Sequence, residues 1–210
     1  MTRLDPDEPT AWFERLYSAA EGGDAVVPWD RGAPHPLLAD WARNNAPDGA
    51  GRRALVVGAG LGADAELVAW LGFHTVAFDV SPTAVRMARE RFPESRVDHR
   101  VANLLDPPAE WRRAFDLVVE SITVQSLPRT VRERATGTVS GFVAPGGTLL
   151  VISTALAEGA DPQAGPPWPL TRREVEAFAR DGLATRAIEL IPSPDQAGIQ
   201  RWRAEFARPV

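Results

Sequence analysis

The residues with the clearest chemistry are Gly58-Ala59-Gly60-Leu61-Gly62-Ala63, which close the apolar run ALVVG at 54–58. A glycine-rich turn between a buried strand and a helix leaves unpaired N–H groups and the positive helix end facing a ligand. Glycine also lets that ligand approach the backbone closely. Asp79 stands 21 residues after Gly58, at the end of a second apolar run, HTVAFD at 74–79. A carboxylate at that distance accepts hydrogen bonds from both ribose hydroxyls of a nucleoside. Loop and acid together therefore point to a nucleoside cofactor.

Several chemistries are excluded by composition. The chain of 210 residues has no cysteine and no lysine, so all 23 basic residues are arginine. Thiolate nucleophiles, disulfides, Schiff bases and a phosphate-loop lysine are out of reach. Three histidines, His35, His74 and His99, do not build a histidine-rich metal site, and no metal is expected. The 28 acidic residues leave a formal charge of −5, with arginines scattered rather than blocked. That is a poor footprint for nucleic acid. No apolar run approaches the ~18 residues a membrane span needs, and MTRLDPDEPTAWF lacks the apolar stretch of a secretory leader. The expectation is a cytoplasmic protein that binds a small molecule, with oligomeric state left open, a monomer included.

The elements that must position the loop alternate regularly. Strands are predicted at 54–58, 74–79, 97–101, 115–121 and 148–154, with less regular ones near 184–191 and 198–207. Helices are predicted at 10–20, 37–45 and 61–71, after Ser81-Pro82, from Pro128 to Val143, and from the Thr171/Glu174 capping box to Gly182. Pro145-Gly146-Gly147 reads as a turn. The expectation is an α/β fold: a Rossmann-like, doubly wound, mostly parallel seven-stranded sheet with helices on both faces. One domain is expected across 1–210, with an N-terminal helical cap at 1–45 and the core at 52–210. Ligands of such a sheet bind beyond the carboxyl ends of its strands.

Two cofactors fit the loop. Gly58-x-Gly60-x-x-Ala63 suits a dinucleotide, and Gly58-x-Gly60-x-Gly62 suits S-adenosylmethionine. Asp79-Val-Ser81-Pro82-x-Ala84, Phe115-Asp116-Leu-Val-Val and Val143-Ala-Pro-Gly-Gly-Thr-Leu-Leu-Val resemble, in order, the class I S-adenosylmethionine-dependent methyltransferases. The resemblance covers 54–154. It implies that Gly58, Ala59 and Gly60 line the methionine end of the cofactor, that Asp79 holds the ribose, and that Val80 and Ser81 flank the adenine. It sets Asn103 and Leu104 near the adenine amino group, where the family often has an acid. It sets Glu120 and Ser121 beside the transferring methyl, with Glu120 holding the cofactor ammonium or facing substrate.

Pro28-Trp29-Asp30-Arg31-Gly32-Ala33-Pro34-His35-Pro36-Leu37, with Trp12-Phe13-Glu14-Arg15-Leu16-Tyr17 before it, resembles the thiopurine S-methyltransferase and thiol methyltransferase group. This implies a cap with Trp29 against the cofactor, where an aromatic face near a sulfonium gains cation–π attraction. The acceptor pocket is then expected at Tyr17, Trp29, His35 and Gln125, with His35 and Glu120 as candidate catalytic groups. The scarcity of bases favours a thiol, which ionises readily near neutral pH. The alternatives are O- or N-methylation of a small metabolite, or an NAD-binding module without this activity.

Overall fold

The computed structural model describes residues 8–210, so the first seven residues of the expected cap, and part of the leader reading, lie outside the described chain. The elements are helix α1 (Ala11–Glu21), α2 (Pro36–Asn45), strand β1 (Arg53–Val57), α3 (Ala63–Trp70), β2 (His74–Asp79), α4 (Pro82–Arg91), β3 (Asp98–Val101), β4 (Phe115–Ser121), α5 (Arg129–Gly141), β5 (Val143–Thr154), α6 (Arg172–Glu176), β6 (Ala184–Pro192) and β7 (Gln200–Ala207). Two helices start where the sequence signals ask. Ser81 caps α4 by accepting from Ala84 N–H, and Thr171 with Glu174 forms a complete capping box on α6.

All seven strands form one sheet in the order β3-β2-β1-β4-β5-β7-β6. β3 to β5 run parallel, and β7 lies antiparallel between β5 and β6. Side chains alternate across the sheet, so β4 sends Val118 to one core and Leu117 and Val119 to the other, while Phe115, before the irregular register, joins the first. The first core adds Phe78, Trp111 and Phe142; the second is closed by Leu38 and Trp41 of α2.

Two expectations are corrected. Pro145-Gly146-Gly147 is not a turn preceding β5 but an insertion within it: Phe115 pairs with Val143, and Leu117 already pairs with Thr148. A Cβ on Gly147 would meet the carbonyl oxygens of Ala144 and Phe115 at 2.9 Å each, so the looped backbone packs there only with glycine. The helix after Thr171 stops at Glu176, short of Gly182.

The chain reverses its winding between β1 and β4. The segments leaving β1, β2, β3 and β4 converge beside that switch, and a cavity opens at their carboxyl ends.

Candidate functional site

The cavity encloses about 970 Å³, counting space open to solvent. Its floor is the loop Gly58–Asp64, and its sides come from Asp79-Val80, Ala102–Leu104 and the β4 exit, Ser121–Thr123 with Ser126 and Leu127. Its roof is the cap: Phe13 and Tyr17 of α1, then Trp29, Asp30, Arg31, Ala33 and His35.

The loop is shaped by positive φ angles of 57° at Gly58 and 53° at Gly60. A Cβ on Gly58 would strike the side chain of Thr123 at 2.4 Å, and one on Gly60 would lie 2.7 Å from the Tyr17 hydroxyl. Thr123 is fixed by donating to Val57 O at 2.9 Å. Asp79 locks the loop to β2, accepting from Gly60 N–H and Ser81 N–H at 3.0 Å each. Burial pushes its carboxyl up to about 6, although those N–H groups pull the other way. Each oxygen keeps a lone pair for a further donor.

The roof is aromatic. Trp29 meets Trp12, Phe13 and Tyr17 edge-on and donates from Nε1 to the Tyr17 hydroxyl at 2.8 Å. Burial, and next the Asp79 charge, raise the Tyr17 phenol. Three polar clasps hold the roof down. Glu14 accepts from the Ser81 hydroxyl and from both Thr83 N–H and Thr83 Oγ1, so α1 caps the start of α4. Burial would raise the Glu14 carboxyl, but these hydrogen bonds, with one from Ser18, hold it below the usual range. Asp30 makes a two-point pair with Arg91 at 2.9 and 3.1 Å, and Arg31 pairs with Asp195 of the β6–β7 turn at 2.6 Å.

His35 is buried and caps α2: its Nδ1 accepts from Leu37 N–H at 3.1 Å, and its own N–H donates to Asp64 at 2.6 Å. Burial, then Arg31 and Arg201, push its imidazole down to about 3, so it is neutral. With Nδ1 accepting, the ring proton sits on Nε2. Asp64 stands in the first turn of α3, and burial raises its carboxyl.

The structure thus gathers Tyr17, Trp29, His35, Gly58, Ala59, Gly60, Asp79, Val80, Asn103, Leu104 and Ser121 around one cavity. Three other expected residues are not on its wall. Glu120 turns its carboxyl under the next turn, where it accepts from Val124 N–H at 2.8 Å; burial raises it to about 7. Gln125 is spent on Thr154, accepting from its N–H at 2.6 Å and donating to its Oγ1 at 3.2 Å. The Ser81 hydroxyl serves Ala84 and Glu14. In each case backbone donors and acceptors left by a strand or helix end claim the side chain. Asn103 also accepts locally, from Leu105 N–H at 2.9 Å. Sequence reading missed Glu14, Arg31 and Asp64. Asp64 had a signal, an acid in the first turn behind the glycine loop; the other two depend on partners 67 and 164 residues away.

Among the described residues no group of three or more acids and histidines comes together to hold a metal, and no helix is long and apolar enough to cross a membrane.

Comparison with known proteins agrees with this architecture. Residues 54–147 match the family described as methyltransferase domain. Over 134 residues the chain is 32% identical to the ubiquinone biosynthesis O-methyltransferase of Xanthomonas campestris pv. campestris, covering 59% of this chain and 54% of that protein. The chain spans about half the length of the curated relatives it matches. Among solved structures, the N-methyltransferase NodS of Bradyrhizobium japonicum, in complex with S-adenosyl-L-homocysteine, superposes with a TM-score of 0.74 at 20% identity, over 97% of this chain and all of that one. The [4+2]-cyclase SpnF superposes with a TM-score of 0.75 at 16% identity, over 100% and 98%. The fold is therefore shared with a protein named for other chemistry, and fold alone does not decide the reaction. Through the domain match at 54–147 and its sheet order, the chain is similar to the S-adenosylmethionine-dependent methyltransferases.

Proposed function

We propose that the chain binds S-adenosylmethionine in this cavity and transfers its methyl group to a small molecule. The observation that carries the reading is Asp64. A dinucleotide would set its pyrophosphate at the start of α3, but that turn already holds the Asp64 carboxylate on the cavity wall. Asp64 and Asp79 both take backbone N–H donors there. These two acids repel a pyrophosphate and favour a ligand with cationic sulfonium and ammonium groups.

The residues fit that cofactor. Asp79 has lone pairs for the ribose hydroxyls, and Val80 and Leu104 offer apolar contact to an adenine with Asn103 beside it. Gly58, Ala59 and Gly60 leave room at the methionine end. Phe13, Tyr17 and Trp29 bring aromatic faces to the same cavity, where a sulfonium gains cation–π attraction. The cofactor supplies an already activated methyl, so this chain's task is orientation and exclusion of water, effects that reach ~7–11 kcal/mol in favourable cases.

The acceptor we favour is a thiol. No free base stands on the described cavity wall: His35 Nδ1 is occupied, Asp30 is paired with Arg91, and Asp64 and Asp79 are engaged by backbone donors. An acceptor that ionises unaided suits such a wall. Oxygen or nitrogen acceptors are the second reading, favoured by the relatives named for O- and N-methylation.

Calorimetry with S-adenosylhomocysteine and with NAD tests the cofactor; the first is expected to bind and the second not. Methyl transfer from labelled cofactor to a panel of thiols, phenols and amines then tests the acceptor. Tighter binding of NAD would overturn the first claim, and inert thiols beside active phenols or amines would overturn the second.

A further inference from the structure

Of the buried side-chain polar atoms without a hydrogen-bond partner among the described residues, His35 Nε2 alone belongs to a cavity-wall residue. Its tautomer is set by the helix cap: Nδ1 takes the Leu37 N–H, so Nε2 carries the proton and is a donor. A donor in this position does not take a proton from an acceptor, which removes His35 as a general base at that atom.

The ring stands among charged side chains of both signs. Arg31 and Arg201 bring two guanidinium groups to it, and Asp195 brings one carboxylate. Arg201 is 3% exposed and donates to neutral oxygens only: Ser193 Oγ, Thr154 Oγ1 and Gln196 Oε1. Asp195 is held by Arg31 at 2.6 Å. Asp64 accepts from the His35 backbone N–H, not from the ring. Among the described residues Arg201 thus has no carboxylate within ion-pair distance, and it stands beside a donor without an acceptor. This corner lies toward β5 and β7, which carry Thr154 and Arg201, whereas Asp79 and Asn103 follow β2 and β3 at the other end of the sheet.

We propose that this corner is an anion subsite, and that the methyl acceptor carries a carboxylate or an equivalent oxygen anion received by His35 Nε2–H and the Arg31 guanidinium. The inference rests on the reading that the cavity holds S-adenosylmethionine with its acceptor. A hydrogen bond from a neutral or cationic donor to a buried anion is among the stronger kinds, and a neutral ester in the same place forgoes the charge.

The test is calorimetry on the full chain saturated with S-adenosylhomocysteine. The probes are 2-mercaptobenzoate and 3,4-dihydroxybenzoate, each against its methyl ester. The acids are expected to bind about ten-fold tighter than the esters. Arg31→Met, and His35→Asn, which keeps a capping side chain on α2, are expected to abolish most of that preference, so that acid and ester bind alike. Equal binding of acid and ester, or binding of neither, overturns the inference. So does an Arg31→Met variant that loses affinity for S-adenosylhomocysteine but not for 5′-methylthioadenosine, because the anion would then be the cofactor's own carboxylate. If S-adenosylhomocysteine itself fails to bind the unaltered chain, the methyltransferase reading falls first, and the two failures are told apart.

Discussion

The floor and the roof of the cavity are built by opposite means. The floor, Gly58–Asp64 with Asp79, comes from one strand-loop-helix-strand unit, and its decisive hydrogen bond joins residues 19 apart. Its shape rests on glycine dihedrals and backbone N–H groups, which have almost no freedom to relax. The roof is drawn from α1 and the segment before α2, and it is held by side-chain clasps to partners far along the chain: Glu14 to α4, Asp30 to Arg91 and Arg31 to Asp195. The two ion pairs among them are partly exposed and contribute about 0–1 kcal/mol each. A rigid floor beneath a weakly clasped roof is what a binding site needs if its ligand is to be enclosed and later released.

The largest expected effect is on the floor. Gly58→Ala forces a side chain to adopt φ near 57° and to meet Thr123 at 2.4 Å. A loss of about 2–4 kcal/mol in folding stability is expected, with S-adenosylhomocysteine affinity lost in parallel. Urea denaturation and calorimetry read the two, and a variant close to the unaltered chain in both would break the contrast between floor and roof.

Asp79→Asn ranks second, with cofactor binding weakened about ten- to hundred-fold. Because burial raises the Asp79 carboxyl to about 6, cofactor affinity should climb as pH rises through that value and the stronger, charged acceptor forms. The stability term has the opposite sign. The native chain keeps this proton longer than the unfolded chain, so its ionisation lowers stability as pH rises from the ordinary aspartate value through about 6. The asparagine variant should show neither trend; an unchanged pH profile of binding would assign the ribose elsewhere.

Glu14→Gln is the smallest and the most diagnostic of the roof. It should cost about 1 kcal/mol and leave β1 and β2 as well protected as before, while hydrogen exchange quickens in residues 11–36. Since the Glu14 carboxyl is held below its usual range, its contribution is complete above the ordinary glutamate value and is lost as pH falls through the lowered folded one. Exchange spectra at neutral and acid pH check both statements. Uniform quickening over floor and roof would mean that the two do not open separately.

The positions of the strands, the capped starts of α4 and α6 and the glycine loop were legible because each depends on neighbours within a few residues. Periodicity, a serine before a proline, or glycines behind an apolar run carry that information locally. The roles of Glu120 and Gln125 were not legible. The same residue types at a strand end serve a ligand or the backbone, and here the free N–H of Val124 and the edge of Thr154 claimed them. The insertion at 144–147 was equally hidden, because it exists only in register with β4. Sequence alone determined the alternating architecture, the glycine loop with its acid, and the exclusion of thiolate and lysine chemistry, since these follow from residue type and short spacing. Only the tertiary structure decided which polar side chains face the cavity and which are consumed in holding it, because every buried donor and acceptor must find a partner and most of those partners lie far away in the chain.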